Sequence, residues 1–329
     1  MKLATFREVP FFAALAVLVI AYACGLLLFD GFSSPLVIRN LLVDNAFLAI
    51  AAAGATLVII SGGIDLSVGA LMAFTSVGVA SLVAHHGWHP LPAMACALVG
   101  GAAFGTAQGM LISRFKLPAF MVTLAGLFLA RGAAFAVHPQ SIAVHHPFIA
   151  ETLNESFSAT VHIAGSTMTI PCTVPVVVAV LAVGGLLLAR TRPGRAIHAI
   201  GDDEHAAALM GLPVERTRVA VYASAGFLSA MAGCAFLLYQ QSGDPASCKG
   251  LELDVIAAVV IGGTLLRGGV GSMAGTAVGV ATLALIQTLI AFQGTLSSWW
   301  TRIAIGALVL GFVALQQTLA AIGARSRGS

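Results

Sequence analysis

Three features of the sequence predict an all-α, polytopic membrane protein of about ten transmembrane helices with both termini cytoplasmic. First, the 329 residues are 59% hydrophobic and only 9% charged, with mean hydropathy +0.98. Soluble domains are roughly 45–50% apolar and about 25% charged, so a water-soluble fold has no way to hide this much apolar surface. Second, apolar runs near the roughly 20 residues that span a bilayer recur along the whole chain. Third, the basic residues fall almost entirely between alternate runs, as the positive-inside tendency requires.

The runs lie at approximately 9–29, 42–61, 67–84, 91–113, 118–137, 172–189, 218–239, 253–266, 272–292 and 300–320, the eighth being short. Lys2 and Arg7 precede the first run, and Arg114 and Lys116 separate the fourth from the fifth. Arg190, Arg192, Arg195, Arg216 and Arg218 bracket the loop between the sixth and seventh, Arg267 follows the eighth, and Arg325 and Arg327 close the chain. With the N-terminus inside, all of these are cytoplasmic, and Arg39 and Lys249 are the exceptions. AYAC at 21–24 offers an A-x-A cleavage site after a basic start. Apolar sequence continues past it to Phe29, which favours a retained first span.

Two connecting segments are long. Residues 138–170 contain His138, His145, His146 and His162 among Ser, Thr and Asn, and read as a solvated extracytoplasmic loop. Residues 190–217 read as a cytoplasmic loop in which Asp202 and Asp203 start a short helix by capping and the helix dipole. Gly211 and Pro213 stop that helix. Held by two spans at the membrane surface, it suits another protein's socket.

Small residues suggest close helix packing. Gly101, Gly105 and Gly109 repeat every fourth residue, as do Gly271, Gly275 and Gly279, a spacing that lets backbones approach where lipid supplies no hydrophobic drive. GGIDLSVG at 62 and GGTLLRGGVG at 262 look alike and hint at an internal repeat.

Several chemistries are disfavoured. A phosphate-cradling loop needs Gly-Lys, and none of Lys2, Lys116 and Lys249 follows a glycine. The chain therefore carries no ATPase site of that kind and no catalytic residues are assigned. Gly269, Gly271 and Ala274 fit G-x-G-x-x-A, but they open an apolar run rather than a strand-helix unit. HHGWH at 85–89 gathers three imidazoles that zinc could use, yet no cysteine or carboxylate stands beside them. Cys24, Cys96, Cys172, Cys234 and Cys248 form no C-x-x-C pair and read as unpaired thiols, although Cys172 and Cys248 both fall near the outer face. No basic patch with interleaved aromatics points to nucleic acid.

Polar groups inside the spans are functional candidates by default. Asn45, Thr123, Arg131 and Gln287 offer donors and acceptors that suit the path of a neutral polyhydroxyl solute, and Gln108 and Tyr239 are further polar groups at helix positions. Asp44, Glu252 and Asp254 sit at expected outer helix ends, where capping is the default role. Gly62, Gly63, Asp65 and Ser67 mark a helix break or gate, with Asp65 accepting from the amide of Ser67 or Val68. A deeper break would make a discontinuous helix whose ends face a solute.

SGGIDLSVG at 61, LPAFMVTLAGLFLARG at 117, the RTRPGRAIHAIG and AAALMGL block at 190, and LELDVIAAVVIGGTLLRGGVG at 251 together resemble the ribose-type permeases of bacterial ATP-binding-cassette sugar importers, over nearly the whole chain. DNAFLAIAAAGATLVIISGGIDLSVG at 44 and GTLSSWWTRIAIGALVL at 294 most resemble a permease of a galactofuranose importer. The resemblance implies an inner-membrane location and a division of labour. A periplasmic binding protein delivers sugar, this chain and a second permease, a heterodimer being favoured, form the path, and a cytoplasmic ATPase uses ATP and magnesium. It also implies that Gly201, Asp202, Asp203, Glu204, Ala207, Met210 and Gly211 face the ATPase. The family commonly has Phe where Pro193 stands and Gly-Asn near Asp202 and Asp203, so the ATPase-facing detail differs here. An ion-coupled carrier and an integral membrane enzyme are the competing classes. The first usually buries carboxylates mid-helix, and the second needs a converging nucleophile and base.

Overall fold

The computed structural model describes residues 2–149, 159–163, 166–295 and 299–325; Arg327 and the 296–298 part of the GTLSSWW stretch lie outside them. The helices are α1 (Lys2–Leu28), α2 (Pro35–Asp44), α3 (Ala46–Ile60), α4 (Val68–Ala84), α5 (Pro90–Arg114), α6 (Ala119–Val137), α7 (Thr173–Arg190), α8 (Arg192–Asp202), α9 (Glu204–Leu209), α10 (Val214–Gln240), α11 (Leu251–Ile261), α12 (Met273–Gln293) and α13 (Trp299–Arg325). Four short strands accompany them: β1 (Ile142–Ala143), β2 (Ala159–Ile163), β3 (Ser166–Ile170) and β4 (Ser242–Gly243). The 138–170 segment, read from sequence as a solvated loop, carries an antiparallel β2–β3 hairpin, and β1 pairs with β4.

Each apolar run coincides with helix, but the span count is lower than the sequence suggests. Among the described residues seven helices are long and apolar enough to cross a membrane, and α2 with α3, bent by 51°, makes an eighth. The runs at 67–84 and 253–266 are instead helices of 17 and 11 residues. Both adjoin non-helical backbone enclosed by protein, which is where irregular backbone is tolerated at membrane depth.

The core forms around α3, buried at every residue except Phe47. It packs against α10, α11, α12 and α7. The glycine stripe of α5 seats α10: a Cβ on Gly101 would lie 2.5 Å from the Ala230 Cβ, and one on Gly109 would lie 2.8 Å from the Val219 Cα. In the second stripe Gly275 and Gly279 seat α11, whereas Gly271 precedes α12 and touches Thr264. The first turn of described α1 side chains (Phe11, Phe12) and Gln316 of α13 both reach the turn after α11, as does α8. Phe11 and Phe12 of α1, Gln316 of α13 and α8 therefore gather around one turn of the bundle.

Candidate functional site

SGGIDLSVG forms the first of two breaks. Gly62 reverses the chain at φ +80°, a left-handed conformation that glycine adopts without a side-chain penalty. Gly63 is required as well, because a Cβ there would lie 2.5 Å from the Tyr222 hydroxyl oxygen. The chain then runs non-helically to Ser67 inside the bundle, with Asp65 and Ser67 both buried. Its polar groups are satisfied by side chains. The Ile64 carbonyl oxygen accepts from the Tyr222 hydroxyl at 3.2 Å and the Thr123 hydroxyl at 3.3 Å. Asp65 Oδ1 accepts from the Ser67 amide at 2.8 Å and the Ser67 hydroxyl at 2.6 Å. Gln108 Nε2 donates to the Ser67 hydroxyl oxygen at 3.1 Å.

The second break is residues 244–250, between β4 and α11. Arg131 Nη1 holds it by donating to the Pro245 and Ser247 carbonyls at 2.7 and 2.6 Å. Cys248 and Gly250 have positive φ, 58° and 80°. The two breaks meet where α4 and α11 begin. A side chain at Gly69 would collide with the Glu252 carboxylate and approach the Cys248 carbonyl oxygen to 2.7 Å. Glu252 Oε1 accepts from the Gly250 amide, while its buried Oε2 has no hydrogen-bond partner. The helical rise from Glu252 to Ile261 is about 14 Å, and Cys248, Gly250 and Glu252 at the junction are half-buried. The sequence placed Glu252 and Asp254 at an outer helix end. In the structure Asp254 is buried and paired with Arg302, and Glu252 abuts the start of α4. Their place in the first turn of α11 still suits its dipole.

The third component is a joint between α8 and both glycine turns. Asp202 and Asp203 were expected to start one short helix together; instead Asp202 ends α8, whose Ala196, Ile197 and Ile200, at helical spacing, form its buried face, and only Asp203 caps the next helix. Thr191 caps the start of α8 by accepting from the Gly194 amide, and Pro193 sits in the first turn, where a missing amide costs nothing. At its other end Gly201 has no room for a side chain, since the Gly269 amide nitrogen would lie 2.5 Å from a Cβ. The Gly269 amide donates to the Ile60 carbonyl oxygen at 2.8 Å, and His198 Nδ1 lies 2.9 Å from the Gly269 carbonyl oxygen. Gly268, at φ +90°, packs on Gly62. The two look-alike segments thus touch each other and α8.

Beyond this joint α9 projects outward. Asp203 caps it by accepting from the Ala206 amide at 2.9 Å, and Glu204 forms a two-pronged ion pair with Arg218 at 3.1 and 2.8 Å. Ala207 anchors it and Gly211 ends it at φ +78°. Leu209 and Met210 are left 78% and 69% exposed. Leu209 was not singled out by sequence, although an apolar pair just before a stop signal is the sign that marks it.

The four polar path candidates do not converge. Thr123 and Arg131 brace the two breaks from α6, but Asn45 donates to the Leu41 carbonyl at the α2–α3 bend and Gln287 is half-buried on α12. The histidines of HHGWH pair across loops: His85 stacks near His138 with ring centres 5.3 Å apart, and His89 near His146 at 5.5 Å. Among the described residues no three metal-ligating groups come together. The five cysteines are free thiols.

A bundle of apolar helices with enclosed breaks and a projecting loop helix defines a multi-pass membrane permease. Residues 37–313 match the family model described as branched-chain amino acid transport system / permease component, and the chain belongs to that family. It is 46% identical over 313 residues to the inner membrane ABC transporter permease protein YjfF of Escherichia coli, covering 95% of this chain and 93% of that protein. The fructose import permease protein FruG of Bifidobacterium longum is 34% identical, covering 96% and 93%. The ribose import permease protein RbsC of Bacillus subtilis is 36% identical, covering 93% and 91%. No solved structure matches the chain.

Proposed function

We propose that the chain is a membrane subunit of an ATP-driven monosaccharide importer in the bacterial inner membrane, with α8, α9 and both termini cytoplasmic. The observation that carries this reading is the rigid, capped α9 presenting Leu209 and Met210 to solvent beside α8. Two exposed apolar side chains on a fixed stem suit a socket on a partner, and the chain's lack of a phosphate-binding loop requires that partner to supply ATP hydrolysis. Asp202, Asp203 and Glu204 shape this contact. A second permease, a different chain being favoured, completes the path, and a periplasmic binding protein delivers the sugar.

Solute passes beside the two breaks, where backbone carbonyls and hydroxyl groups lie alongside Asp65, Arg131 and Glu252, donors and acceptors that suit a polyhydroxyl sugar. Thr123 and Arg131 set the walls, with Asn45 and Gln287 further along the path. The resemblance of residues 44–69 and 294–310 to a galactofuranose permease favours galactofuranose as cargo. Relatives named for ribose and fructose import support another pentose or hexose as the second reading.

Uptake of labelled galactose, which supplies the furanose form, and of ribose and arabinose tests this in cells lacking the gene. Loss and rescue for galactose alone supports the first reading, and loss for ribose alone supports the second. Sensitivity of uptake to a protonophore at constant ATP overturns both in favour of an ion-coupled carrier.

A further inference from the structure

We propose that α8 is a clamp as well as a docking element: His198 and Gly201 grip the turn after α11 and, through it, the turn after α3, so that movement of α8 releases both breaks together. This rests on the reading of α8 and α9 as the ATPase-facing segment.

Four observations converge on the clamp. The His198 Nδ1–H donates to the Gly269 carbonyl oxygen at 2.9 Å, and the Gly269 amide donates to the Ile60 carbonyl oxygen at 2.8 Å. One peptide neighbourhood therefore bridges α8 and the end of α3. Gly201 fills the remaining space so closely that no side chain fits between α8 and these turns. Both turns use positive-φ glycines, Gly62 and Gly263, with Gly268 and Gly269 alongside, so they can change direction at low steric cost. Finally, the 262–272 turn borders open space: Gly262, Gly263, Gly269, Val270, Gly271 and Ser272 line a cleft of about 580 Å³ that Phe11, Phe12 and the His198 ring also line. The turn is held by His198 and has room to move into the cleft beside it.

The mechanical consequence is directional. A pull on α8 acts on Gly269 through a hydrogen bond, Gly269 acts on Ile60 through a second, and the segment from Gly63 to Ser67 that joins α3 to α4 begins three residues beyond Ile60. On the other side the turn leads directly back into α11, whose start abuts α4. Hinges of this kind are a few element-terminal residues that absorb the backbone change. His198 is a positioning residue in this scheme.

The test is amide hydrogen exchange on the intact permease–ATPase complex in lipid nanodiscs, with and without MgATP plus vanadate. In the wild type, exchange in α8, in 60–63 and in 262–272 is expected to change together. In His198→Phe, which keeps a ring but removes the donor, α8 is expected to respond while 262–272 responds about five-fold less, the scale of one net hydrogen bond. His198→Asn, which restores a donor near the Nδ1 position, is expected to recover the response. Gly201→Ala provides a second route, since it forces α8 off the turns without touching the donor. Wild-type coupling of both turns in His198→Phe and in Gly201→Ala overturns the clamp. A wild-type complex in which α8 responds and the turns do not overturns it equally. If α8 itself is unresponsive, and Leu209→Asp with Met210→Asp leaves ATPase binding intact, the docking reading beneath it falls too.

Discussion

Adjacent glycines on α5 provide a controlled test of how the bundle is packed. Gly101 faces α10, where a Cβ would lie 2.5 Å from the Ala230 Cβ and 2.6 Å from the Gly226 carbonyl oxygen. Comfortable carbon–carbon separation is about 3.5–4.0 Å, so Gly101→Ala must open the α5–α10 contact by about 1 Å. Gly100, one residue away, is exposed and would meet nothing within 4 Å. Both substitutions receive the same helix-propensity gain of about 1 kcal/mol, so their difference isolates the overpacking cost, roughly 1–3 kcal/mol. Gly100→Ala is expected to be neutral or stabilising, and Gly101→Ala to be destabilised relative to it by that amount. Reversible unfolding by SDS in one detergent, followed by helix content, measures both. Equal shifts in the two variants would refute the close approach of α5 and α10.

Arg131→Ala leaves the Pro245 and Ser247 carbonyls without their donor and is expected to cost roughly 1–3 kcal/mol in the same unfolding assay and to impair uptake of a protein that still inserts. Arg131→Lys should recover much of both, because a single nitrogen serves the two carbonyls. Asp65→Ala strands the buried Ser67 amide and should destabilise by roughly 1–3 kcal/mol, whereas Asp65→Asn keeps an acceptor and should cost less. The Arg218 hydrogen bonds hold the Glu204 carboxyl below its ordinary value of 4.5, with burial opposing them. Because the folded value is the lower one, the ion pair's contribution is present above pH 4.5 and fades as pH falls through the folded value. With the Glu204 side chain 43% exposed, solvent screening keeps this contribution to about 0.2–1 kcal/mol. Amide exchange across 203–212 should therefore accelerate on acidification, and Glu204→Gln should flatten that dependence.

Composition was enough to read the helical membrane class, because it follows from transfer energies of individual side chains. Helix length was less legible. The 253–266 run is mostly apolar, broken by Asp254 and Thr264, but the helix there is only Leu251–Ile261, since Gly262 and Gly263 end it against α12. The site was partly visible at Gly62, Gly63 and Asp65, where glycine pairs and a lone carboxylate interrupt apolar sequence. Its depth was not, because the Tyr222, Thr123 and Gln108 side chains that satisfy the break come from distant segments. The His198 contact was invisible for the same reason: His198 and Gly269 are 71 residues apart, and the imidazole meets a backbone carbonyl, which carries no sequence signature.

The completeness of α3's burial also bears on how the chain is made. Its neighbours α10, α11 and α12 emerge long after it: Thr56 waits for Thr276, 220 residues later, which at 5–20 residues per second is about ten to forty seconds of synthesis. During that interval α3 is bathed in lipid that it will never touch again. Its composition tolerates this, since it is almost wholly alanine, leucine, isoleucine and valine, and its one hydroxyl already donates to the Ala52 carbonyl oxygen of its own helix at 2.7 Å. The helix at the centre of the finished transporter is thus also a self-sufficient membrane guest, and the nascent chain can hold it in reserve until the C-terminal half arrives to enclose it.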